Sequence, residues 1–114
     1  MAVNKKEEFK KNEIELAEFA KAISHPARVA ILKTISDKDM YICGEIVEVL
    51  PLAQSTVSQH LKELLKAGLI QGTLDGTKSC YCINWKTFEK FANGFNDFFN
   101  KAKTKSDNFK SNCC

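Results

Sequence analysis

Long apolar runs are missing from this chain of 114 residues: nothing approaches the ~20 consecutive apolar residues of a membrane span. The opening MAVNKKEEFKKNE also lacks the apolar centre of a secretory signal, so the expected place is the cytoplasm, with no membrane partner. Histidine is scarce, being confined to His25 and His60, with none after Gln71. No two cysteines stand in a Cys-x-x-Cys spacing, and no strand–helix alternation suggests an α/β domain with a substrate pocket, which argues against a small thiol enzyme. The length fits one domain with a modest core and falls short of what most enzymes need to enclose a substrate. An excess of positive charge is lacking as well, apart from the C-terminal end. Residues 101–114 hold four Lys against one Asp, which accounts for the whole formal charge of +3 and leaves residues 1–100 neutral. Net charge is therefore weak support for a nucleic-acid partner, and any such claim has to rest on pattern.

The pattern is strongest from Gln54 to Ile70, QSTVSQHLKELLKAGLI. Val57, Leu61, Leu64 and Leu65 recur at steps of three and four, which predicts a helix with one buried face. The other face carries Gln54, Thr56, Ser58, Gln59 and Lys62, short polar groups with a single charge. A solvated helix face ordinarily alternates Glu and Lys, whereas this one suits hydrogen bonds to base edges and phosphates. Lys66 in the last turn, Gly68 as a left-handed stop and Leu69 folding back over it mark the helix end.

Around this helix the rest falls into order. Residues 5–23 alternate Lys and Glu around Phe9, Ile14, Leu16, Phe19, Ala20 and Ile23, predicting a charged helix with one apolar stripe. Ser24 or His25 caps a second helix with Pro26 in its first position, and Val29, Ile31, Leu32 and Ile35 supply its buried face. Residues 36–39 form a loop, Met40-Tyr41-Ile42 a single short strand, and Cys43 to Leu50 a third helix closed by Pro51. The third helix, the turn at Leu52-Ala53 and the helix from Gln54 together make a helix-turn-helix. Ile70 to Leu74 and Ser79 to Asn84 read as two strands joined at Asp75-Gly76, a strong tight-turn signal. Lys78 falls near the tip of this hairpin, as a phosphate contact or as a plain solvated lysine. From Trp85 onward Phe88, Phe91, Ala92, Phe95, Phe98 and Phe99 share one stripe of a long last helix. A single small domain should not leave so many aromatics exposed, which points to a homodimer.

The run S-T-V-S-Q-H-L-K-E-L-x-x-A-G-L-I resembles the recognition helix of the ArsR/SmtB family of winged helix-turn-helix repressors. The likeness runs from Ser24-His25-Pro26-Ala27-Arg28 to the region of Tyr81. It implies a mainly α fold with a small β-hairpin, a winged helix-turn-helix that is dimeric through its N- and C-terminal helices. On periodicity alone, the first helix fits that dimer interface and its own domain's core equally well. The resemblance further implies a bacterial repressor that leaves double-stranded operator DNA when a metal or metalloid binds, with no cofactor needed for DNA binding. Gln54, Ser55, Thr56, Ser58, Gln59 and His60 would then supply base or phosphate contacts, with Lys62 and Lys78 anchoring the backbone. In the family His25 and His60 hold positions used for structure. The expected organisation is a DNA-binding and dimerisation domain over residues 1–103 and a flexible Lys-rich tail over 104–114.

Five thiols in a reducing compartment, Cys43, Cys80, Cys82, Cys113 and Cys114, are candidates for a sensor. One zinc site of the family uses Asp and His on the last helix and has no counterpart here, since no His follows Gln71. The family's arsenic and antimony sensors often carry Cys-x-Cys at the start of the third helix; Tyr41-Ile42-Cys43 keeps only the second thiol. Two trios replace it on paper. Cys80 and Cys82, two apart on a strand, project from one face, and pairing of the short strand with the last wing strand brings Cys43 near them. Alternatively Cys113 and Cys114 reach Cys43 of either subunit, since a tail of about ten residues spans up to ~30 Å. Three thiolates and no His suit trivalent arsenic or antimony, while cadmium, lead, oxidants and persulfides are alternatives. Buried Cys43, Cys80 or Cys82 can equally serve as small hydrophobes, which a Cys pair in a mobile tail cannot.

Overall fold

Helix ends and turns, set by a few local hydrogen bonds, fix the architecture in the computed structural model, which describes residues 8–37, 41–75 and 78–106. Helix α1 spans Lys11–Ala22. Lys10 is extended and gives its backbone N–H to Glu13 Oε1 at 3.0 Å, so the carboxylate captures an amide at the helix start. That capture sets the start at Lys11, later than the expected residue 5, and leaves Phe9 outside the helix and 57% exposed. Residues 5–7 lie outside the described ones. Helix α2 spans Pro26–Ser36, with His25 as its cap and Pro26 at a position that needs no N–H partner.

Strand β1, Tyr41–Ile42, leads directly into helix α3, Cys43–Val49. The helix stops one residue short of the expected Leu50, which precedes Pro51 and is disfavoured there in helical geometry. Helix α4 spans Gln54–Lys66. Its end is a complete Schellman motif: Gly68 N–H donates to Leu65 O at 3.0 Å and Leu69 N–H to Leu64 O at 3.1 Å, with Gly68 at φ +80°. The side chain of Leu69 folds back into the core and is fully buried.

Strands β2, Ile70–Asp75, and β3, Lys78–Ile83, form the hairpin, and β1 joins β3 on its other edge in the order β1-β3-β2. Asn84, expected to end the last strand, instead starts helix α5, Trp85–Ser106. It receives Thr87 N–H on Oδ1 at 3.5 Å and Phe88 N–H on its carbonyl at 2.9 Å. Helix α5 continues to Ser106, into the stretch from 104 where a tail was expected. Its alternating Lys and small residues keep good helix propensity after the aromatic stripe ends.

The core lies between α2, α3, α4 and the sheet. Ile31, Ile35, Ile46, Val57, Leu61, Leu64 and Leu69 are fully buried, each contributing roughly 1.5–3 kcal/mol of burial. Helices α1 and α5 pack on each other at one side, with the Phe19 and Phe91 rings 5.0 Å apart and Lys90 Nζ 3.0 Å from Glu15 Oε2.

Candidate nucleic-acid interface

Helix α4 separates its residues cleanly by face. Val57, Leu61 and Leu64 are buried and Leu65 half-buried, as the spacing predicts. Gln54, Ser55, Thr56, Gln59 and Lys62 are exposed, and Ser58 is half-buried on the flank. No side chain caps the N-terminus, which follows extended Ala53, so the first-turn amides and the positive end of the helix dipole stay open to an anion. Hydrogen-bonding side chains, open amides and a single cation thus lie on one rigid surface. Its rigidity comes from the opposite face, which is locked into the core.

His60 differs from its neighbours. It is half-buried, its Nδ1 accepts Arg28 Nε–H at 3.1 Å, and its ring lies 4.5 Å from that of His25 at 40°. His25 Nδ1 in turn accepts Ala27 N–H at 3.0 Å and so caps α2, while Arg28 Nη1 donates to Ala22 O at 3.3 Å. Both imidazoles therefore face the α1–α2 corner. Desolvation, then the neighbouring His25 and Arg28, pull the His60 pKa below its ordinary value, which keeps it neutral as an acceptor. Sequence reasoning named Arg28 only within the Ser24-His25-Pro26-Ala27-Arg28 motif and gave it no role; the structure shows it bonding both to His60 and to Ala22. It is the sole arginine in the chain, three residues after the capping His25, and that isolation was the available signal.

The sheet packs tightly on α4. A Cβ added at Gly72 would lie 3.1 Å from Tyr81 Cε1 and 3.3 Å from Leu65 Cδ2, so this glycine permits the close approach of β2 to the helix. Lys78, expected near the hairpin tip, lies in β3 opposite Asp75, and the tip residues 76 and 77 lie outside the described ones.

Tyr81 and buried Ile83 share the core-facing side of β3, so Cys80 and Cys82 share the outer side, where both are half-buried free thiols. Ile42 is the register partner of Cys80 and Tyr41 of Tyr81. The residue immediately after Ile42 is Cys43, so its backbone adjoins the Cys80 end of this pairing, while Cys82 lies on the far side of Tyr81. Among the described residues no three His, Cys, Asp or Glu side chains gather closely enough to hold an ion. Cys113 and Cys114 lie outside the described residues. No described helix is long and apolar enough to cross a membrane.

The profile of the bacterial regulatory proteins of the arsR family matches residues 25–71, from the cap of α2 to the second residue of β2. The uncharacterized HTH-type transcriptional regulator YceK of Bacillus subtilis is 33% identical over 81 residues, which cover 69% of this chain and 80% of YceK. The arsenical resistance operon repressor of Staphylococcus xylosus is 31% identical over 70 residues, covering 61% of this chain and 66% of the repressor. Among solved structures, reduced HlyU from Vibrio cholerae superposes with a TM-score of 0.60 at 29% identity, covering 69% of this chain and 80% of HlyU.

Proposed function

Because this chain belongs to the ArsR family of bacterial regulatory proteins, DNA-binding transcriptional repressors rather than enzymes, we propose that it works as a homodimer released from its operator by a thiol-bound metalloid. The observation that carries the DNA-binding part is the exposed polar face of α4, held rigid by Val57, Leu61 and Leu64 beneath it. Gln54, Ser55, Thr56, Ser58 and Gln59 supply hydrogen bonds to base edges and phosphates, and Lys62 and Lys78 neutralise phosphate. His60 contributes from the flank of this face, its Nδ1 being committed to Arg28.

Homodimerisation is supported by an open groove of about 920 Å³ between α1 and α5, lined by Leu16, Phe19, Phe95 and Phe98 and rimmed by Glu15, Lys90 and Lys101. Phe98 and Phe99 beside it are 53% and 57% exposed. A second copy covering this surface sets two α4 helices into successive major grooves, about one turn (~34 Å) or a multiple of it apart.

The inducer reading rests on donor chemistry. Cys80 and Cys82 offer two soft donors from one face with Cys43 as the third, or Cys113 and Cys114 join Cys43 of the same or the other subunit. A trivalent arsenic or antimony centre would tie these thiolates together. That the S. xylosus relative is an arsenical resistance operon repressor supports the choice. Any pull on β3 reaches α4 through the Tyr81–Gly72–Leu65 packing, and a coupling of roughly 1–3 kcal/mol is enough for derepression.

A second reading, oxidation or persulfidation of the same thiols, is favoured by the partial exposure of Cys80 and Cys82 and by the likeness to HlyU in its reduced form. The deciding experiment titrates the reduced protein on duplexes from its own promoter with arsenite, antimonite, cadmium and lead, alongside Cys43→Ser, Cys80→Ser and Cys82→Ser variants. Arsenite or antimonite should release the wild type, and loss of Cys80 should abolish that release. Release by oxidant alone, reversed by dithiothreitol, would select the redox reading. Full arsenite response after loss of Cys43 would eliminate both thiol trios.

A further inference from the structure

The group of side chains joining the α1–α2 corner to α4 is more specific than packing requires. Two imidazoles meet at 4.5 Å with their planes tilted by 40°, and each accepts a hydrogen bond on Nδ1, one from the Ala27 amide and one from Arg28 Nε. An Nδ1 that accepts carries no proton, so both rings are neutral and hold their hydrogen on Nε2. Arg28 reaches from α2 to both sides, donating to Ala22 O at the end of α1 and to His60 on α4. It thereby joins the end of α1 and the start of α2 to the helix assigned to DNA. His60 lies on the flank of α4 beside its exposed face, so its bond to Arg28 adds a tether to the core packing that orients that face.

We propose that His25, Arg28 and His60 form a positioning clamp for α4 that closes only while His60 is neutral, so that acidification loosens the helix and weakens its hold on DNA. The proposal rests on the DNA-binding reading above. Protonation of His60 Nδ1 replaces an acceptor by a donor facing the guanidinium, which breaks the bond to Arg28 and sets two cations side by side. His25 Nδ1, which accepts the Ala27 amide, caps α2 beside it. The electrostatic influences on His60 come from His25, before α2, and from Arg28, on α2. Helix α3, also packed on α4, carries Glu45 and Glu48, and α4 itself carries Lys62 and Glu63. Since the folded chain disfavours the His60 cation, the stability contributed by neutral His60 is complete above the ordinary imidazole pKa. It is lost as pH falls through that value toward the lower folded one.

Asparagine separates the clamp from simple charge effects, because its Oδ1 accepts where Nδ1 does and does not titrate. The full chain and its His25→Asn/His60→Asn variant are titrated with promoter duplex at fixed ionic strength at about pH 7.5 and about pH 5.5, values that bracket imidazole protonation. The wild type should bind roughly tenfold more weakly at the lower pH, the size of one lost hydrogen bond to a charged group. The variant, whatever its affinity at the higher pH, should change little between the two. Identical pH profiles in the two proteins, or tighter wild-type binding in acid, would overturn the proposal. Imidazole nitrogen NMR of the wild type without DNA gives an independent reading should the variant fold poorly. Two neutral Nε2–H tautomers at the higher pH support the clamp, and an Nδ1–H tautomer in either ring refutes it. Failure of every duplex to bind at the higher pH would defeat the DNA reading itself, a result the imidazole spectra do not share.

Discussion

The two halves of this molecule treat their apolar residues in opposite ways. Around α2, α3, α4 and the sheet, seven large side chains are fully buried and the polar face of α4 is left outside. Along α1 and α5 the same kind of residue is only partly covered: Phe91 is buried, Phe88 and Phe95 are half-buried, and Trp85, Phe98 and Phe99 are more than half exposed. The first half holds most of the closed core, which Ala22 of α1 and Phe91 of α5 extend. The second keeps apolar surface that burial against another surface would stabilise, at roughly 25 cal/mol per Å² removed from water. One chain thus carries a closed core that presents a polar reading surface and an open aromatic pair suited to a second copy.

Equivalent truncations in the two halves should therefore behave differently. Ile31→Ala, in the closed core, should cost about 2–5 kcal/mol in urea unfolding at any protein concentration. A cost below about 1 kcal/mol would mean that the core is not where the stability lies. Phe98→Glu combined with Phe99→Glu should leave the unfolding of the separated chain nearly unchanged and weaken self-association at least tenfold in sedimentation equilibrium, about 1.4 kcal/mol. Unaltered association would remove α5 from the interface. Lys90→Ala should have the smallest effect, under about 1 kcal/mol, because the Lys90–Glu15 pair joins a mostly exposed ammonium to a partly exposed carboxylate. A larger loss, growing at low salt, would show that this ion pair lies in a shielded interface.

What the sequence revealed follows the same division. Helix α4 was legible to its last turn because its period, its glycine stop and the return of Leu69 are local properties. The β1–β3 pairing was legible through the resemblance to winged helices, in which the short strand before the third helix pairs with the last wing strand. The start of α1 was not, since the Lys–Glu alternation continues upstream and only the capture of the Lys10 amide by Glu13 sets the boundary. Nor was the setting of His60, whose partner Arg28 lies 32 residues away. The resemblance placed His60 among the DNA contacts and at a structural position, but only the fold brings the guanidinium to it. The aromatic stripe of α5 was legible as a face, yet spacing alone cannot tell which of its rings meet α1. At the thiols the two-residue spacing gave the shared face of Cys80 and Cys82, and the strand register supplied what spacing could not, the position of Cys43 beyond the Cys80 end.

The central claim is that the exposed face of α4 reads DNA. Its most direct test compares promoter-duplex affinity of the wild type with that of Ser58→Ala and Gln59→Ala in gel shifts, with sedimentation run on the same samples. Affinity should fall about tenfold for Gln59→Ala and by a smaller factor for Ser58→Ala, while the association state stays the same. Wild-type affinity in both variants would contradict the account.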